Sequence, residues 1–315
     1  MPQSLSLPTD ALAFALIAAG AFAALDLSQK WTARYAVSAP EPFLALRFLG
    51  GALLSPLLLL LPGTAAPRFG AGVGWLLLTL VFVNLLGNVL YLRSVYRADI
   101  SVVGSLWPLK NFYLPFLAYV PFLGFATTQE RFPPQVYAWL AVATLGALGI
   151  AYNKKLRWQA LGERPVALMA GVIVPVFAVS DLLFGAAAGS LGARWTTVFV
   201  SWGIAAAGLP FLLRDRESRA AVREALSHWR GRLGATLTGI FLVVGVFCIG
   251  EAFKRSQGVV LVNVFAMLSG LFLLAVNAAL PGRLDGDEGR RTYAVRFAGA
   301  VLLVGAATAL LYAGK

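Results

Sequence analysis

Residues 104–113 read GSLWPLKNFY and set Lys110 and Asn111 beside a proline, with apolar runs on both sides. A lysine amine in such a place has three uses: pairing with a carboxylate, holding an anion, or forming a Schiff base. Asp26 and Asp181, each also enclosed by apolar residues, are its candidate partners. Lys30 follows Asp26 by four residues, so on a helix those two share a face and can pair locally. Asp181 has no basic residue within a turn; it needs a partner from another segment, or it holds a proton because desolvation favours the neutral form. Asn84 and Asn88 stand one turn apart and either line a cavity or join helices. Asn263 sits in a second apolar run, and Trp107 flanks Lys110 together with Phe112 and Tyr113, as a cavity wall or as packing. The candidates for substrate binding are therefore Lys110, Asn111, Trp107, Asn84, Asn88 and Asn263; those for coupling or charge pairing are Asp26, Asp181 and Lys30. Arg47 and Glu251 read as interface or gate residues near helix ends.

Other chemistries lack their residues. One cysteine, Cys248, rules out an internal disulfide and a thiolate metal cluster, and one histidine, His228, disfavours histidine metal sites and Ser-His triads. No phosphate-binding GxxxxGK[ST] loop occurs. The chain is expected to be no enzyme and to need no metal and no cofactor. The alternatives weighed are an intramembrane enzyme and a pigment or receptor carrying a Schiff base on Lys110.

The elements that position these groups follow from composition. The chain has 315 residues, 59% of them hydrophobic and 13% charged, against about 45–50% and about 25% in soluble domains. Its mean hydropathy is +0.77. These values predict a protein embedded in a lipid bilayer. The net charge of +12 does not point to nucleic acid, because the basic residues crowd between apolar runs, where they set orientation in the membrane. No cleavable signal peptide is expected, since the first apolar run lacks a basic lead and outlasts a signal's core. Apolar runs predict ten spans near 11–36, 43–61, 74–96, 99–121, 135–152, 166–189, 195–213, 234–254, 258–280 and 292–312, each near the about 20 residues that a helix needs to cross. Their continuity, without period-2 alternation, favours helices over barrel strands. Residues 214–233 place Ala221, Val222, Ala225, Leu226 and Trp229 at helical spacing among arginines, which suggests a helix on the membrane surface or a solvated loop.

Internal similarity sharpens this plan. FAALDL at 22–27 matches FAVSDL at 177–182, FLGGALLSPLLL at 48–59 resembles WGIAAAGLPFLL at 202–213, and YRADISVV at 96–103 matches FKRSQGVV at 253–260. The offsets of 155, 154 and 157 residues keep one order and indicate duplication. Five spans per copy is odd, so the second copy must enter from the opposite side. The expected fold is all-α, with ten transmembrane helices in two inverted five-helix repeats, 1–152 and 166–315, joined by a linker at 153–165. Such a pair suits alternating access.

This plan resembles the drug/metabolite transporter superfamily in its EamA-like branch. The resemblance covers nearly all of the chain. It rests on PFLALRF at 42–48, YLRSVYRADISVV at 91–103 and ERFPP at 130–134, in that order. Two features depart from the family pattern: Ala23-Ala24 stands near its tryptophan-glycine pair, and the fourth helix carries Lys110 and Asn111. The resemblance implies a secondary transporter and suggests both termini inside. Charge argues otherwise. Seventeen basic residues fall on one set of connections, including Lys30, Arg34, Arg93, Arg97, Lys154, Lys155 and the arginines of 214–233. Six fall on the other: Arg68, Arg131, Arg194, Lys254, Arg255 and Lys315. The positive-inside rule then places both termini outside. The expected protein is a monomer or homodimer in the prokaryotic inner (plasma) membrane. It exports a small polar metabolite, such as an amino acid or organic anion, with or without proton coupling.

Overall fold

The structure is a computed structural model that describes residues 7–35, 37, 39–67, 69–95, 106–119, 132–152, 164–256, 258–279 and 290–312. Among these the chain is all-α, without strands. Seven helices are long and apolar enough to cross a membrane: Thr9–Ala33, Pro40–Leu60, Gly72–Tyr91, Arg164–Leu191, Ala193–Leu212, Trp229–Ser256 and Arg291–Tyr312. Pro134–Ile150 and Val260–Val276 are shorter apolar helices. We number the helices α1 (Thr9–Tyr35), α2 (Pro40–Leu54), α3 (Ala71–Val95), α4 (Lys110–Tyr119) and α5 (Pro134–Ile150). Then follow α6 (Arg164–Leu191), α7 (Ala193–Leu212), α8 (Arg216–Ser227), α9 (Trp229–Ser256), α10 (Val260–Ala266), α11 (Ser269–Ala279) and α12 (Arg290–Tyr312). Most of the expected fourth-span start and of the linker 153–165 lies outside the described residues.

Prolines set the irregularities. Pro40 opens α2 at its first turn, where a missing N–H costs nothing. Pro56 then converts its end into a 3-10 stretch, Ser55–Leu60. Pro108 lies in the 3-10 turn Trp107–Leu109 that leads into α4. Pro175 follows a π-helical turn, Met169–Ile173, inside α6, which absorbs the hydrogen bond that the ring cannot donate. The expected ninth span is not one helix: it breaks at Met267 and Leu268 between α10 and α11. The segment 214–233 does hold a helix. Asp215 caps α8, its side chain accepting from the Ser218 N–H at 2.7 Å, and hydrogen bonding to that backbone holds its carboxyl below the usual range. Val222 and Ala225 bury one face of α8, which packs on α2 and α9.

Small residues let these helices approach closely. A methyl group at Gly146 of α5 would lie 2.5 Å from the Leu303 nitrogen of α12, and one at Gly299 would lie 2.6 Å from the Gly146 carbonyl. Arg296 secures the same seam, its Nε donating to the Tyr152 carbonyl at 3.0 Å. The α1/α9 seam is the most extensive. Phe14 meets Phe247 edge to face at 6.3 Å. The Phe22 ring fills the space over Gly245, and Ser28 and Thr238 share a hydrogen bond at 3.1 Å. In the α3/α6 seam the Phe177 ring covers Gly87 in the same manner. Likewise Gly50 meets Gly239 between α2 and α9, and Gly203 meets Val81 between α7 and α3.

Candidate functional site

Lys110 stands at the first residue of α4, directly after the 3-10 turn. Its Nζ lies 2.6 Å from Asp181 Oδ2 on α6, with the two side chains 15% and 22% exposed. Of the two carboxylates offered by the sequence, the fold therefore gives Lys110 Asp181. The approach makes an ion pair but not a well-angled hydrogen bond, since Oδ2 is buried with no hydrogen-bond partner among the described residues. Both side chains of the pair remain partly accessible.

Asp26 belongs to a second charged cluster. Arg47 and Lys30 both lie near it, and Tyr91 lies near Asp26 and Arg47. This corrects the reading of Arg47 as a helix-end gate residue. Because α2 begins at Pro40, Arg47 lies well inside it, with its Nε buried and without a hydrogen bond. The Asp26 side chain is exposed, and those of Arg47, Tyr91, Trp107 and Asn84 are half-buried.

Aromatic rings connect the two clusters. Trp107 lies between Tyr91, at 5.1 Å, and Phe177, at 4.9 Å between centroids, and is thus held by packing on both sides. Asn84 Nδ2 donates to Ser180 Oγ at 2.7 Å, a bond between α3 and α6 next to Asp181. Asn88 is 6% exposed, and its Nδ2 donates to the Asn84 carbonyl. It supports Asn84 rather than lining a cavity.

Two expected substrate contacts are buried in the protein. Asn111 is 2% and Asn263 0% exposed. Asn263 donates to the Val259 carbonyl at 3.0 Å; its Oδ1 and both polar atoms of Asn111 are buried without hydrogen bonds. Buried amides left open are costly, so this pair stores an unmet demand for partners at the breaks of α4 and of the α10/α11 pair. Sequence reading missed Tyr91, Phe177 and Ser180. Phe177 and Ser180 lie in the very FAVSDL motif that was read only for its aspartate. Among the described residues no group of three or more His, Cys, Asp or Glu could hold a metal ion.

No family model matches the chain, and no curated protein matches it. A solved structure described only as "Crystal structure of protein" covers 97% of this chain and 98% of its own, with a TM-score of 0.71 and 16% identity. The chain is thus similar in fold, over nearly its whole length, to a protein already solved.

Proposed function

We propose that the chain is a secondary transporter of a small polar metabolite, an exporter of amino acids or related organic anions working by alternating access. The observation that carries this reading is the Lys110–Asp181 ion pair, which joins α4 to α6 within the apolar helices. A ligand with one charge would break this pair and strand its partner, at about 3–5 kcal/mol for a buried charge. A zwitterion answers both groups: its carboxylate meets Lys110 and its ammonium meets Asp181. An organic anion is accommodated if Asp181 takes a proton as it loses Lys110, which would couple transport to a pH gradient.

The wider reading is ten crossing segments in two inverted halves, as in the drug/metabolite transporter superfamily. Matched contacts support it. Phe22 on Gly245 and Phe177 on Gly87 are related by the 155-residue offset on one side, and within one residue by the 157-residue offset on the other. Gly50 on Gly239 and Gly203 on Val81 are related by offsets of 153 and 158 residues, each within two residues of those values. The breaks at Trp107–Leu109 and Met267–Leu268 fall within about a turn of corresponding places, as expected of discontinuous helices at a transport site. The excess of basic residues at the end bearing Lys30, α8 and Arg230 supports a cytoplasmic placement for that end and an outside placement for both termini, in a prokaryotic plasma membrane.

The test is counterflow in proteoliposomes loaded in turn with amino acids, monocarboxylates and amines. Exchange of amino acids, lost in Lys110→Ala, is the expected result. Exchange of amines alone would refute the reading of Lys110 as the carboxylate site.

A further inference from the structure

We propose that the junction of α8 and α9 is a binding site for an anionic phospholipid, with Arg230 holding the phosphate and the acyl chains lying along an exposed face of α9. The proposal rests on membrane embedding and not on the transporter reading. Depth in the bilayer comes first. α9 has 28 residues, a length of about 42 Å. The hydrocarbon core is about 30 Å thick, and about 40–45 Å with its headgroup layers. Basic residues mark both ends of α9: Arg230 and Arg232 at one, Lys254 and Arg255 at the other. Its first turn therefore stands in a headgroup layer. From there Trp229, Leu233, Thr236 and Ile240 follow at helical spacing, and all four are exposed. They form one stripe that faces lipid, with Arg230 and Arg232 on its two flanks.

The arginines at the two ends of α9 are used differently. Arg255 is spent on Asp10 and Glu251, and Arg194, at the same end, on the Leu61 and Pro62 carbonyls. Arg230 enters no ion pair among the described residues. Aromatic rings hold it instead. Its guanidinium carbon lies 5.8 Å from the centre of the Tyr35 ring and 5.6 Å from that of Trp229, and Trp31 braces Tyr35 at 4.7 Å. Rings position a guanidinium without supplying hydrogen-bond acceptors, so its N–H fork is left for two phosphate oxygens. Beside it lies a cavity of about 350 Å³, lined by Tyr35, Glu224, His228, Trp229, Arg230 and Gly231. That volume is within the range of small-ligand sites.

Charge decides the kind of lipid. Residues 214–232 carry six arginines against Asp215, Glu217 and Glu224. Arg216, Arg219 and Arg223 share one exposed face of α8. A basic cluster next to a crossing helix draws anionic headgroups. Glu224, within the cavity, repels a doubly charged phosphate monoester but accepts a hydrogen bond from a headgroup hydroxyl. The ligand assigned is a singly charged phosphodiester with a hydroxylated headgroup.

The test uses the full chain in detergent micelles, with bound lipid counted by native mass spectrometry. Phosphatidylglycerol should bind at least about tenfold tighter than phosphatidylcholine, and Arg230→Ala should remove that preference. Arg216→Ala, roughly two turns of α8 from the cavity, should keep it. An unchanged preference in Arg230→Ala, or equal losses in the two variants, would replace the site by diffuse attraction. If Arg230→Ala does not fold, Arg230→Lys keeps the charge without the fork and should bind phosphatidylglycerol severalfold more weakly; undiminished binding would refute the role of the fork. Phosphatidylethanolamine or phosphatidylcholine bound as tightly as phosphatidylglycerol would overturn the anionic assignment. Tighter binding of phosphatidic acid would overturn the role of Glu224. Inorganic phosphate should leave the lipid in place; if it displaces the lipid, the site is one for free anions and the lipid assignment falls.

Discussion

In the α1/α9 seam Phe22 packs on Gly245, and in the α6/α3 seam Phe177 packs on Gly87. Beyond that shared contact the seams differ. The first is stitched from end to end: Arg255 on Asp10, Phe14 on Phe247, Ser28 on Thr238, and the close approach of Thr32 to Gly234. The second is joined by Asn84 and Ser180 near its middle. Past that point α3 leans on α7 through Val81 and Gly203, while α6 leans on α9 through Phe184 and Gly250. One seam is a strut. The other carries Asp181, Ser180 and the Trp107–Phe177 contact, the groups around the Lys110 ion pair. Equal local sequence therefore serves stability in one place and the site in the other.

The most damaging substitution should be Lys110→Ala. Truncating one member of a buried charge pair costs about 2–5 kcal/mol, so transport in proteoliposomes should fall roughly 30-fold or more, with folded protein still in the membrane. Unchanged flux would reduce Lys110 to a structural residue and dissolve the contrast between the seams. Next come the paired phenylalanines. Phe22→Ala should lower thermal stability by up to about 3 kcal/mol with little effect on the rate per folded molecule. Phe177→Ala should impair transport more than stability, because it also frees Trp107. Matching effects at the two sites would mean that both seams are struts.

Asn84→Ala should cost about 0.6 kcal/mol, the average for an interhelical hydrogen bond in a membrane protein, read as a small drop in unfolding midpoint. Thr238→Ala serves as its counterpart in the strut. A larger loss at Asn84 than at Thr238 would contradict the assignment. The smallest effect is expected at Asp215, outside both seams. Its carboxyl is held below its unfolded value, so the cap is fully present above the ordinary aspartate range and is lost as pH falls through the depressed value. Asp215→Ala should remove that acid-side dependence from the helicity of α8. A dependence that persists in the variant would assign it to another group.

Much of the site is legible because the membrane penalises it. Lys110, Asp26 and Asp181 stand out as charges in apolar runs, and a charge at mid-membrane costs about 2.5–3.5 kcal/mol. Asn84 is visible for the same reason. Pairing is not legible in this way. The i, i+4 spacing offers Lys30 to Asp26, and the fold brings Arg47 from another helix near it as well. Arg47 itself was misplaced because the helix start moves with Pro40. Asn111 and Asn263 share the depth of Lys110, yet helix rotation turns them into the protein.

The sequence alone determined that this chain is helical and membrane-embedded, and which of its charges lie within apolar runs. Those properties follow from transfer free energy and from counting, which act residue by residue. Tertiary structure decided that Lys110 meets Asp181, and that Phe184 of α6 packs on Gly250 of α9. Those outcomes depend on how glycine and proline let helices cross, bend and rotate. They are relations between segments far apart in the chain, and no single segment encodes them.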